Sequence, residues 1–305
     1  MHYSCSSNRS DKPSAEVQAL VDSCKAWQRR DKDTALHYAE EARKLSERIG
    51  DEAGQDRAAV LPLMIYANRW EEPLIAESLA KALIIESQSL GREYRVSRAK
   101  AALGAIEQNK ENFVEAILLQ EEALEMERTA NRGESIMGDL INLGTTYGYF
   151  GNYTKEIECY YEALKICDSL GLDRFRPRLI ANLAATNFDL GNLDVSERFL
   201  LESIALKGKT GKSATADDYR NLAVIYRERD EFDAASEYLE TSDSIAAINK
   251  DRGQLYRNRL TEVNLLIGRG RNQAALDSIS RLDEWEGGAP DSMSYYYKLQ
   301  LRAFG

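Results

Sequence analysis

Hydrophobic positions along the chain recur at helical spacing rather than alternating as in a strand. Between Asn152 and Leu170, the residues Ile157, Tyr160, Tyr161, Leu164 and Cys167 fall on one stripe. That is the pattern of an amphipathic α-helix that buries one face. Asn152 stands where a helix N-cap accepts from free amides, and Gly171 where a left-handed residue closes the last turn. Segments of this kind fill the chain. Runs of alternating β-branched and polar residues are absent, and 19 glycines and 5 prolines serve 305 residues. Proline breaks helix interiors and glycine weakens them, so the pattern predicts an all-α protein of long helices. Pro62 falls inside a predicted helix, where it should introduce a kink.

The pattern also repeats. Leu143-Gly144 with Tyr147 is followed by Gly151-Asn152-Tyr153. Forty residues later stand Leu183-Ala184 and Gly191-Asn192-Leu193, and 39 further Leu222-Ala223 with Tyr226 and Asp230-Glu231-Phe232. Forty residues upstream stand Leu103-Gly104 and Glu111-Asn112-Phe113. A mostly small position recurs at Ala35, Ala76, Ala116, Glu156, Ser196, Ala235 and Ala275, in steps of 41, 40, 40, 40, 39 and 40. Seven residues on, a second series runs Ala42, Leu83, Ala123, Ala163, Ser203, Ser242 and Leu282. Two series sharing one period mean a helix–turn–helix unit stacked seven times, because one such unit cannot bury its apolar face alone. The small residue of each first helix (Gly104, Gly144, Ala184, Ala223) admits its partner helix closely, and Gly50, Gly91, Gly133 and Gly211 fall at breaks between units.

The Leu-Gly-x-x-Tyr, Gly-x-Tyr and small-x-x-x-aromatic pattern resembles the tetratricopeptide repeat. Leu143, Gly144, Tyr147, Gly151, Tyr153, Tyr160 and Ala163 carry it best; Glu156 stands where the family prefers alanine, and the first two units match poorly. The period of about 40 exceeds the usual 34. That longer variety is similar to kinesin light chain, spindle-orientation adaptors and bacterial sensor or peptide-receptor regulators, all protein or peptide binders. The resemblance implies an α–α superhelix, a right-handed solenoid of about seven repeats plus a terminal helix, that binds a partner in its concave groove and catalyses nothing.

In the long-repeat adaptors, asparagines ahead of the Leu-Gly pair line the groove and hydrogen-bond an extended peptide. The matching positions here are Asn142, Asn182 and Asn221. An amide both donates and accepts, as a peptide unit does. The same amides would equally tie neighbouring helices together. Arg98, Arg178 and Arg257 are equivalent by repeat, with Gly138 and Asp217 interrupting their stripe. Arg178 lies four residues before Asn182, on the same helix face, and Arg220 lies one turn from Asp217. A groove lined by these arginines favours an acidic or carboxylate-ended peptide; solvated arginines paired with neighbouring acids are the competing reading.

The remaining features narrow the function mainly by exclusion. A net charge of -10 and a pI near 5.0 argue against a binder of nucleic-acid phosphates. Cys159 and Cys167 lie eight residues apart in one predicted helix, roughly 12 Å along its axis, too far for a disulfide. Both read as small core or semi-exposed hydrophobes, and the four cysteines, with Cys5 and Cys24, match no zinc or thioredoxin spacing. The stretch 208–213 (GKTGKS) mimics a phosphate loop, but Leu206 occupies the place of the first Walker glycine and a helix precedes it. It reads as an inter-repeat turn that exposes Lys207, Lys209 and Lys212. His2 and His37 have no metal partner at usable spacing, and paired carboxylates such as Glu71-Glu72 read as solvated faces. No catalytic set and no cofactor is expected.

Residues 1–14 read as a disordered tail and 15–305 as the repeat domain. The tail holds Cys5 followed by small residues, which also resembles the stretch after the lipid-modified cysteine of a bacterial lipoprotein; the default compartment is otherwise the cytoplasm. No stretch of about 18 apolar residues occurs. Asp291–Gly305 reads either as a capping helix or as the first helix of an eighth unit cut short. The second possibility suggests an alternative function, the sensor region of a bacterial histidine kinase or transcriptional regulator whose output domain lies outside this sequence.

Overall fold

A computed structural model describes residues 12–28, 30–67, 72–209 and 213–283. Among them are fourteen α-helices, one short 3-10 turn and no strand. The helices form seven consecutive pairs: α1 (Ala15–Trp27) with α2 (Lys32–Ile49), α3 (Glu52–Ala67) with α4 (Pro73–Ser89), α5 (Glu93–Asn109) with α6 (Phe113–Thr129), α7 (Gly133–Tyr149) with α8 (Tyr153–Ser169), α9 (Arg176–Asp189) with α10 (Leu193–Lys209), α11 (Ala216–Glu228) with α12 (Phe232–Ile248), and α13 (Arg252–Gly268) with α14 (Asn272–Asp283). The 3-10 turn, Asp173–Phe175, precedes α9. The helix expected over 291–305 and residues 1–11 of the tail expected over 1–14, with Cys5, lie outside the described residues; Ser14 caps α1, accepting from the Val17 amide at 3.3 Å.

The chain divides into two compact units, Met1–Gly171 and Leu172–Gly305. The first contains α1–α8 and the second α9–α14. In the first, α1 packs on α3, α3 on α5 and α5 on α7, so that the first helices of successive pairs touch. In the second, α11 packs on α13.

The small-residue series explains the period. Ala35, Ala76, Ala116, Glu156, Ser196, Ala235 and Ala275 are all buried, one per pair, where each second helix meets its partner. Ala42, Leu83, Ala123, Ala163, Ser203 and Ser242 are buried as well; the side chain of Leu282 is not among those described. Buried hydroxyls need partners, and the serines have them: Ser196 donates to the Ala184 carbonyl at 2.7 Å, Ser203 to Pro177 at 2.8 Å and Ser242 to Ala216 at 2.7 Å. The glycines on the first helices are also close-packed. A Cβ on Gly144 would lie 2.8 Å from the Tyr160 ring, and one on Gly104 would lie 2.7 Å from Gln120.

Turns reuse one backbone conformation with varied residues. Gly50, Gly91, Gly151, Gly171, Gly191 and Gly270 have φ between 62 and 82°, and Glu111, Asn131, Asp230 and Lys250 adopt the same left-handed region. Gly133 departs from expectation. It opens α7, and Asn131 holds the left-handed position before it. Asparagine tolerates that region better than most side chains, which frees Gly133 for the helix. Gly211 lies outside the described residues. Asn152 caps α8 as expected, accepting from the Lys155 amide at 3.2 Å. Helix α3 runs continuously through Pro62.

Candidate functional site

The seven groove candidates divide between the two units. In the first, Asn142 is exposed on α7, and its side chain makes no hydrogen bond to another described residue. Arg98 is very different. Its guanidinium donates to Asp139 and lies 3.3 Å from Glu127. Glu127 (0% exposed) also accepts from Ser97, and from Arg132 at 2.7 Å. The result is a buried charge cluster joining α5, α6 and α7. Arg98 belongs to the packing of three helices, paired with acids as the competing sequence reading has it but buried where that reading expects it solvated.

In the second unit, Arg178 is exposed in the first turn of α9, and no described residue pairs with it. Asn182, one turn on, is half-buried and its amide likewise has no described partner. Asn221 is exposed on α11 and accepts from Arg220 at 2.9 Å. Arg220 and Arg257 converge on Asp217, at 3.4 and 3.7 Å. Arg257 also donates to Gln254. The repeat-equivalent slots 217 and 257 therefore form an ion pair between successive first helices.

Between α9 and α11 a cleft of about 220 Å³ opens. Ala181, Ala184, Ala185 and Phe188 form one wall, Val224 and Ile225 the other, and Leu200 of α10 the floor. Asn221 and Arg220 stand at one edge and Asp189 at another. Small side chains make the opening, since three alanines on one helix leave its neighbour's apolar face uncovered. Asp189 is the last residue of α9 and pairs with no described residue. Desolvation at the cleft lifts its carboxyl above the ordinary aspartate value. Neither the cleft nor Asp189 was foreseen from the sequence. The visible trace was the run Ala181, Ala184, Ala185, which carries no motif.

A second hollow, about 390 Å³, lies between α12 and α13. It is polar because the repeat has changed there. Where α6 and α7 carry the buried pair Leu124 and Leu140, the equivalent positions hold Asp243 and Arg259, 3.7 Å apart. Arg259 also donates to Glu262 at 2.7 Å. Asp243, Glu262 and Arg259 are thus matched with one another.

The other sequence candidates are structural or exposed. Lys207, expected to be exposed, is half-buried and bridges both oxygens of Asp218 at 2.6 and 2.7 Å. Asp218 forms a capping box with Thr215 at the start of α11. The acid therefore holds the lysine just before the phosphate-loop lookalike, whose residues 210–212 lie outside the described set. His37 is exposed beside Tyr38. Among the described residues, no group of three or more His, Cys, Asp or Glu could hold a metal. Cys24, Cys159 and Cys167 are buried free thiols. Burial pushes Cys24 and Cys159 up to about 11. No helix among the described residues is long and apolar enough to cross a membrane.

Residues 140–169, from mid-α7 to the end of α8, match the family model of the tetratricopeptide repeat. The fold is that of tetratricopeptide-repeat proteins. Solved structures agree across most of the chain. The signal-transduction ATPase with a tetratricopeptide repeat sensor from Pyrococcus horikoshii aligns over 95% of this chain and 44% of its own, with a TM-score of 0.64 at 18% identity. NprR, solved in complex with its cognate peptide NprX, aligns over 95% and 83%, with a TM-score of 0.62 at 13% identity. BtubC (BKLC) from P. vanneervenii aligns over 70% and 92%, with a TM-score of 0.58 at 22% identity. No curated protein sequence matches the chain. At these identities the tetratricopeptide fold is what is shared.

Proposed function

We propose that this chain is a binding module that holds an extended segment of another protein, or a free peptide, against the first helices of its repeats. The cleft between α9 and α11 carries the reading. It presents an apolar hollow beside Asn221, and Asn182 stands at the equivalent position of the preceding pair with no described partner for its amide. An extended segment offers one donor and one acceptor per residue, an asparagine amide answers both, and an apolar hollow with a few polar groups at its edge is the usual form of a binding site. Asn142 holds the same repeat position in the other unit. The likeness to NprR, solved with a peptide bound, supports the reading. Any preference for an acidic partner rests chiefly on Arg178, because Arg98, Arg220 and Arg257 all have acidic partners within the chain.

The test is capture from a lysate of the source organism by the intact chain and by an Asn142→Ala/Asn182→Ala/Asn221→Ala variant, both shown to be helical by circular dichroism. A partner held by the first and lost by the second supports the proposal. Equal capture by both would mean that the asparagines do not hold the ligand.

A second reading is that the chain is the sensor region of a larger bacterial signalling protein. It is favoured by the Pyrococcus horikoshii ATPase, of which the chain matches only 44%. Sequencing the gene beyond residue 305 tests it: an adjoining kinase, ATPase or DNA-binding domain supports the reading, and a stop codon removes it.

A further inference from the structure

We infer that the α9/α11 cleft takes one apolar side chain of the bound segment while Asp189 pairs with a lysine or arginine side chain beside it. This rests on the peptide-binding reading and adds the composition of the peptide.

The cleft sets the first half. Its lining is mostly apolar, with Ala181, Ala184, Ala185, Phe188, Leu200, Val224 and Ile225, and the one buried polar side chain, Ser196, spends its hydroxyl on the Ala184 carbonyl at 2.7 Å. An apolar cavity of about 150 Å³ accommodates a benzene-sized molecule, so the 220 Å³ here leaves room for a leucine or phenylalanine side chain.

Charge sets the second half. Asp189 ends α9, and the C-terminal end of a helix carries partial negative charge that disfavours a carboxylate. Within the chain nothing described offsets this. The nearby acids differ: Asp194 and Glu197 both receive Arg229, at 2.6 and 2.7 Å. Glu228, which occupies the equivalent position of the next pair, receives Arg227. Asp189 is left with a partly desolvated carboxylate on the rim of an apolar hollow. A cation placed there gains from the carboxylate and from the helix terminus together.

Arg178 shows the converse at the other end of the same helix. A guanidinium in the first turn opposes the positive end of the dipole, and Arg178 too has no described partner. Residues 178, 182, 185 and 189 share one face of α9, with the two charges roughly 16 Å apart along the axis. This face carries a free amide between two charges that its own helix opposes, which suits a segment bringing complementary charges of its own.

The test uses a library of random heptapeptides, acetylated and amidated, selected on the intact chain and on Asp189→Asn. The expected result on the intact chain is enrichment of Leu, Ile, Phe or Met next to Lys or Arg. Asp189→Asn should lose the Lys/Arg preference and keep the apolar one, whereas Val224→Trp, which fills the cleft, should lose the apolar one. The best peptide is then measured by fluorescence anisotropy at low salt. Its Kd should rise about three- to fivefold on Asp189→Asn, the scale of a solvent-exposed ion pair. Replacing its Lys by norleucine should cost the same on the intact chain and nothing on Asp189→Asn. Peptides enriched without a cation, or an unchanged preference on Asp189→Asn, would overturn the inference while leaving peptide binding intact. If the folded chain retained no peptide at all, both readings would fall. A parallel library with free amino termini separates side-chain cations from an α-amino group; enrichment confined to it would also overturn the inference.

Discussion

Removing Arg98 is the most informative perturbation of the first unit. Its guanidinium lies among Asp139 (2% exposed), Glu127 (0% exposed) and Arg132, and the cluster's two acids and two arginines balance. Arg98→Met keeps most of the apolar volume and leaves Asp139 buried without its cation. Burial already pushes the Asp139 carboxyl up, against the pull of Arg98. Breaking a buried pair by deleting one partner costs about 3–5 kcal/mol, whereas replacing both partners by apolar groups is often neutral. Arg98→Met should therefore lose about 3–5 kcal/mol, while Arg98→Met/Asp139→Leu should recover most of it and leave Glu127 held by Arg132 and Ser97. The measurement is urea unfolding followed at 222 nm, with midpoint and slope fitted separately. A lower slope in Arg98→Met would indicate that the cluster's helices melt ahead of the rest, as stacked repeats permit. The reasoning fails if Arg98→Met lies within about 1 kcal/mol of the parent, or if the second substitution adds its own loss to the first.

Three further measurements bear on other parts of the chain. Lys110 first and Lys81 second hold the Glu77 carboxyl down at about 2, from 4.5. A depressed acid contributes stability above its unfolded value and loses it as pH falls, so Glu77→Gln should flatten the decline in Tm between about pH 4.5 and 2. A Cβ on Gly148 would lie 2.6 Å from the carboxylate of Glu156, which is buried and accepts from the Tyr160 hydroxyl at 3.1 Å; Gly148→Ala should cost about 1–3 kcal/mol by overpacking and cost nothing in a Glu156→Ala background, read by thermal unfolding of all four proteins. In a Cys5→Ser variant, the three described thiols, all buried, should react with Ellman's reagent only once urea unfolds the chain; rapid native-state labelling would contradict their burial.

Positions set by the period were legible in the sequence, because burial at a repeat interface demands small residues at a fixed interval and tolerates little else. Ala35, Ala76, Ala116, Ser196, Ala235 and Ala275 show this directly, and Glu156 is the exception. What a charged residue does at an equivalent position was not legible, since it depends on what the next pair brings. Arg98 and Arg178 hold one slot, yet Arg98 is buried by Asp139 and Glu127 and Arg178 is left exposed. The repeat position of Glu127 is held in the second unit by Lys207, and that of Asp139 by Asp218, so two places that share Arg98 in the first unit pair directly in the second, with one charge reversed. Periodicity gave the places but not the signs. The cleft was harder still, because it arises from side-chain atoms missing at Ala181 and Ala185.

Gly148 and Glu156 also constrain each other as positions open to change. A carboxylate at position 156 fits only because position 148 has no side chain. Where the 156 slot holds Ser196 or Ala235, the 148 slot holds Phe188 or Arg227; here the buried acid ties it to glycine, so the two positions have to be varied together.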